Sequence, residues 1–168
     1  EDSGLREPAR VRFLLGCGQF DEALEAVRHC NELKCDSPDF YAASGELFGK
    51  LRRYQEGREI LAEGLAKYPD NMLIVSDLAF NHFYSCEFER AIALMAHVVE
   101  RNPDSSRVHN SLGYSFYRTY RLSEGLASFS RAIASYPKFF YAYYGRGKVH
   151  LILGNIKEAI EDQVNCLL

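Results

Sequence analysis

Side chains able to do chemistry are present in this chain, but not at spacings that do it. There are five histidines (His29, His82, His97, His109, His150) and five cysteines (Cys17, Cys30, Cys35, Cys86, Cys166). No two stand at a spacing such as Cys-x-x-Cys or His-x-x-x-His that brings two ligands to one metal ion. His29 and Cys30 are neighbours, and adjacent helix residues point about 100° apart, so they do not converge on one ion. The glycines form no phosphate-cradling loop, and no Gly-x-Ser-x-Gly nucleophile elbow occurs. The expectation is a protein that is not an enzyme and uses no cofactor or metal. An odd number of irregularly spaced cysteines fits reduced thiols, hence cytoplasm or nucleus, better than a disulfide framework.

Bulk properties narrow the partners. The 168 residues carry a net charge of −3 and are 47% hydrophobic and 26% charged. A nucleic-acid binder needs a basic excess that is missing here, and the Arg52–Arg53 pair is too short to supply one. No apolar run reaches the roughly 18 residues of a membrane span, so no membrane role is expected. Glu1-Asp2-Ser3-Gly4 has neither the basic nor the apolar region of a signal peptide. With no initiator Met, the sequence reads as a fragment of a longer protein.

The elements that position these residues repeat. Pro69, Pro103 and Pro137 stand 34 residues apart. A second ladder, Phe20, Tyr54, Phe88, Leu122 and Ile156, places a bulky apolar residue at the same interval. Three residues beyond each rung comes Ala23, Gly57, Ala91, Gly125 or Ala159, and a further small-residue ladder runs Gly45, Ala79, Gly113, Gly147. Small residues let two helix backbones approach closely, and proline ends each repeat because it cannot continue a helix interior. Between these marks the apolar spacing is helical, as in Ile92, Met95, Val99 and in Leu126, Phe129, Ile133. The pattern predicts helix pairs at 6–17 and 21–34, 38–51 and 55–67, 72–85 and 89–101, 106–119 and 123–135, and 140–153 and 157–168. Asp21 with Glu22, Ser106, and Ser123 with Glu124 are the expected helix-opening residues. His82 and His150 fall at equivalent positions on the packed seam and read as core histidines.

With that period, the Gly/Ala ladders, the terminal prolines and segments such as Leu112-Gly113 followed by Phe129, Ala132 and Pro137, the chain resembles the tetratricopeptide repeat family over essentially its whole length. The resemblance implies an all-α, right-handed superhelical solenoid of about five antiparallel helix–turn–helix repeats. These are approximately 4–37, 38–71, 72–105, 106–139 and 140–168, in a single domain. The sequence departs from the family where His109 replaces an early aromatic and where Cys35 stands for a proline.

The resemblance also implies that the first helix of each repeat lines a concave groove. Its positions fall on Arg12 and Leu15; Asp39, Ala42 and Glu46; Leu73, Ser76, Phe80 and Phe83; Arg107, Asn110, Tyr114 and Tyr117; and Tyr141, Tyr144, Lys148 and Leu151. The list runs from charged through Phe-bearing to tyrosine-dominated, and Tyr and Phe anchor peptides at little entropic cost. The family's chaperone clamp of Lys, Asn and Arg is absent. Its places hold Pro8 and Arg12, or Ala42 and Glu46, and Glu46 would repel a carboxylate. Also absent is a backbone-binding asparagine ladder, whose places hold Ala9, Ala43, Asp77, Ser111 and Gly145. The expected function is a scaffold or adaptor that binds a protein or peptide partner in the groove. One alternative is a homo-oligomerisation module joined through the terminal edge at Cys166, Leu167 and Leu168. Another is a substrate-presenting region of a larger enzyme.

Overall fold

The computed structural model describes residues 3–167, with side chains from Glu7 onward. Among the described residues ten helices follow in chain order: α1 (Ser3–Gly16), α2 (Phe20–Glu32), α3 (Pro38–Lys50), α4 (Tyr54–Lys67), α5 (Met72–Tyr84), α6 (Phe88–Arg101), α7 (Ser106–Arg118), α8 (Leu122–Ser135), α9 (Phe140–Ile152) and α10 (Ile156–Asn165). All ten expected helices are present. The first starts earlier than the spacing predicted and carries Pro8 within it, and the last ends sooner.

The turns between paired helices repeat as strictly as the helices. Gly18, Arg52, Cys86, Tyr120 and Gly154 all have positive φ, between 59° and 78°. They form one more ladder at the repeat interval. Each is the left-handed residue that closes a helix, and the amide that follows donates back to the closing turn: Gln19 to the Leu14 carbonyl (3.0 Å), Arg53 to Phe48 (2.8 Å), Arg121 to Phe116 (2.8 Å) and Asn155 to His150 (2.9 Å). This six-residue closure satisfies a helix-terminal carbonyl that would otherwise lack a donor.

Asp21, Glu22 and Glu124 bring negative charge to the first turns of α2 and α8, and Ser106 opens α7, but no side-chain cap forms at these starts. Asp21, Glu22, Ser106, Ser123 and Glu124 lie inside the first turns, while the cap positions are Gln19, Ser105 and Arg121, none of which makes a side-chain cap bond. Emerging from a left-handed turn, Gln19 (ψ 73°) and Arg121 (ψ 67°) are short of the extended backbone a side-chain cap uses. Two side-chain caps occur instead where the chain enters a first helix. Ser37 Oγ accepts from the Phe40 amide (3.3 Å), and Asn71 Oδ1 accepts from Leu73 (3.1 Å) and Ile74 (3.2 Å).

The helices gather into two compact units, one ending at Cys86 and one beginning at Glu87. In the first, Val11, Val27, Cys30, Tyr41, Leu47, Leu61 and Ile74 are buried. Leu61 fills the space that the missing Cβ of Gly45 leaves open, and Tyr41 does the same at Gly64. In the second, Phe129 is fully buried with Ala132, Ala142 and Val149. Its ring lies where a Cβ on Gly113 of α7 and on Gly145 of α9 would stand. One side chain of α8 thus keys into both flanking helices, and burial of such a ring stabilises by roughly 1.5–3 kcal/mol.

Candidate functional site

In the second unit α7 and α9 pack side by side and present one wall. Tyr114 stands edge-on to Phe129 (centroids 5.1 Å, 88°), and its hydroxyl donates to the Tyr141 carbonyl (3.4 Å). Tyr117 packs against the same buried cluster. Tyr141 is 52% and Tyr144 40% exposed, so both offer ring surface to a partner. Lys148 Nζ lies 4.4 Å from the Tyr144 ring centroid, an arrangement that holds the ammonium over the π face. Burial, then the neighbouring Tyr144, Cys166, Tyr117 and Tyr141, push the Tyr114 phenol up to about 12. It is therefore a neutral hydrogen-bond donor at any ordinary pH. Arg107 is exposed at the start of α7, and Asn110 is half-buried with its Oδ1 lacking a hydrogen-bond partner among the described residues. Phe140, absent from the expected set, is exposed and lies against Tyr141 (3.9 Å); the Phe139-Phe140-Tyr141 run was its signal.

The expected positions of the first unit look different. Arg12 is joined to Asp39 by an exposed ion pair (3.2 Å), Ala42 is buried and Glu46 is exposed. Phe80 is only 7% exposed and stacks on Tyr84, and Phe83 is half-buried against the same ring. Phe80 therefore gives a partner almost no surface.

A second polar cluster in the first unit was not among the expected positions. The Tyr41 hydroxyl accepts from Lys67 Nζ (2.6 Å), and its own proton points to Glu63 (3.1 Å) or Asp36 (3.2 Å). Hydrogen bonding to Tyr41 and Glu63 holds the Lys67 ammonium above its usual range, while burial raises the Tyr41 phenol. Tyr68 donates to the Asp36 carboxylate from the other side (3.3 Å). The groups satisfy one another, which is how a buried phenol is pinned rather than how a substrate is held.

The histidines are dispersed. His82 is buried, His150 is half-buried near Asn155, and His109 places Nε2 2.7 Å from the Pro103 carbonyl. Among the described residues, no group of three or more His, Cys, Asp or Glu could hold a metal ion. Nor is any described helix long and apolar enough to cross a membrane. Cys30 and Cys35 are buried, and burial pushes the Cys30 thiol up to about 12.

Family models described as tetratricopeptide repeat match residues 50–113 and 121–165, together more than half of the chain. The chain belongs to the tetratricopeptide repeat family. Among curated proteins it is 25% identical over 163 residues, 97% of its length, to U-box domain-containing protein 70 of Oryza sativa subsp. japonica. It is 26% identical over 101 residues, 60% of its length, to serine/threonine-protein phosphatase 5 of Rattus norvegicus. It spans only 16% and 20% of those two proteins. Among solved structures it is similar to MamA 41-end from Desulfovibrio magneticus RS-1, with TM-score 0.89, 17% identity, and coverage of 99% of this chain and 94% of that one. It is also similar to MamA AMB-1, with TM-score 0.85, 20% identity and 95% coverage of each chain. At such identities the likeness is one of fold.

Proposed function

We propose that the chain is a protein-interaction scaffold whose α7–α9 wall engages a segment of a partner protein. The observation that carries this reading is the exposed tyrosine face backed by a rigid floor. Tyr141 and Tyr144 are open, while Tyr114 is fixed against Phe129. Aromatic side chains fixed before binding lose little freedom on contact, which is the energetic signature of an interaction hot spot. Replacing Tyr114, Tyr117 and Tyr144 together with Ala should lower affinity for a partner at least about a hundredfold, since hot-spot residues each contribute roughly 2 kcal/mol or more. Titration calorimetry of the variant, with its helical circular dichroism unchanged, is the check. Full affinity in the variant would remove the wall from consideration.

Self-association with a second copy is the other reading, and one observation favours it. Ile156, Ile160, Val164 and Leu167 form an exposed apolar stripe on and just beyond α10. With Leu151 the last three line a hollow of about 200 Å³. Leu168, expected at this edge, lies outside the described residues, and Cys166 is half-buried. Sedimentation across micromolar concentrations decides this reading: dimers lost on Ile160→Glu support it, and a monomer throughout sinks it.

A further inference from the structure

The charges on the two wall helices are all of one sign. α7 holds Arg107 and Arg118, and α9 holds Arg146 and Lys148; neither contains an Asp or Glu. This stands against a whole chain of net charge −3. Arg146 is neutralised by Asp162, and Arg118 lies over the Phe88 ring (4.8 Å). Lys148 makes no ion pair among the described residues, and its ammonium faces the Tyr144 ring on the open wall. On the same wall Tyr117, Tyr141 and Tyr144 lie near enough to Tyr114 to perturb its phenol, and the Tyr114 hydroxyl reaches the Tyr141 carbonyl (3.4 Å). Phenol hydroxyls donate well to carboxylates, and a cation in a partly desolvated aromatic surround attracts an anion more strongly than one in water. On α3 of the first unit Glu46 is exposed, while Asp39 is paired with Arg12.

We infer that the α7–α9 wall selects an acidic partner segment, one in which carboxylates alternate with aromatic or aliphatic side chains. This rests on the wall being the binding surface, as proposed above. The carboxylates meet Lys148 and the phenol hydroxyls, and the apolar side chains cover the rings. Considered by itself, α3 of the first unit would not suit such a segment, because Glu46 is exposed there. Single-stranded nucleic acid also stacks on aromatic side chains, but it needs a track of many cations along its backbone. The two wall helices carry only four Lys and Arg side chains, and one of them, Arg146, is neutralised by Asp162.

The test is calorimetry on the whole chain with four probes. These are a synthetic peptide alternating Glu with Leu and Phe, the same peptide with Ser for Glu, the same with Lys for Glu, and an oligouridylate. The Glu peptide should bind at least about tenfold more tightly than the Ser peptide, and the Lys peptide not measurably, as opposite and like charges dictate. Lys148→Glu and the milder Lys148→Met should each erase the preference for Glu over Ser without changing the circular dichroism. The inference is overturned if Glu and Ser peptides bind alike, if Lys148→Met leaves the preference intact, if the Glu peptide does not bind, or if the oligouridylate binds more tightly. If the Ser peptide binds equally well and Tyr144→Ala abolishes that binding, only the charge selection falls and the wall stands. If the Glu peptide binds undiminished to Tyr144→Ala, the wall reading falls and takes the inference with it.

Discussion

The two units share one repeat and put it to different use. In the first, the aromatic early in α3 is Tyr41, turned inward and pinned by Lys67, Glu63 and Asp36. In the second, the tyrosines of α7 and α9 stand on the wall and the inward ring is Phe129. The ion pairs differ in the opposite direction. Arg12–Asp39 is exposed, whereas Arg146 grips Asp162 with two bonds (2.9 and 2.6 Å) and the Asp162 side chain is 3% exposed. A repeat thus fixes backbone spacing and leaves open which face carries the aromatics. The tyrosine of a first helix is held inward by a polar network in one unit, and the tyrosines of the first helices stand open in the other.

The sharpest way to break this difference is at the buried ring. Phe129→Ala should cost about 3–5 kcal/mol, more than Leu61→Ala at the equivalent position, because its ring serves two glycines and not one. Urea unfolding of both variants measures this, and equal losses would mean that the second contact, at Gly145, adds nothing. Next come the ion pairs. Asp162→Asn leaves Arg146 partly buried without its counter-charge and should cost about 3 kcal/mol. Asp39→Asn, on the exposed pair, should change stability by less than about 1 kcal/mol.

A further effect appears in alkali. A phenol raised from 10.0 to about 12 stays protonated in the folded chain after the unfolded chain has released its proton. Tyr114 therefore withdraws stability as pH rises from the ordinary phenol value towards 12, and contributes nothing to pH dependence below it. Phenolate absorbance should show a late-ionising tyrosine that vanishes in Tyr114→Phe. The smallest effect belongs to the turns. Arg52→Gly and Tyr120→Gly should each stabilise by up to about 1 kcal/mol, because a side chain at positive φ is strained where glycine is not. Gly18→Ala should do the reverse by a similar amount. Chemical denaturation midpoints at unchanged slope check all three.

The helix pairs and their boundaries were legible because proline and small-residue ladders record backbone constraints directly. The turn ladder was not. Three of its five rungs are Arg52, Cys86 and Tyr120, which carry no glycine signal although they adopt glycine's conformation. Gly145 was legible only as a missing asparagine; its role as a socket for Phe129 depends on a contact between neighbouring repeats that no single-repeat pattern encodes. The tyrosines of the wall could be picked out by position. Phe80 could not be told from them, because groove position alone does not say whether a ring is covered.

Phe129 has a consequence for how a bound partner would be felt. Its ring touches Tyr114 on one side and occupies the hollow of Gly145 on another. A ligand that packs on Tyr114 therefore also stabilises the seam along which α8 and α9 would separate. Amide exchange should slow in α8, a helix that supplies none of the wall residues, as well as in α7 and α9. The scaffold would then report its occupancy on a face that the partner never touches.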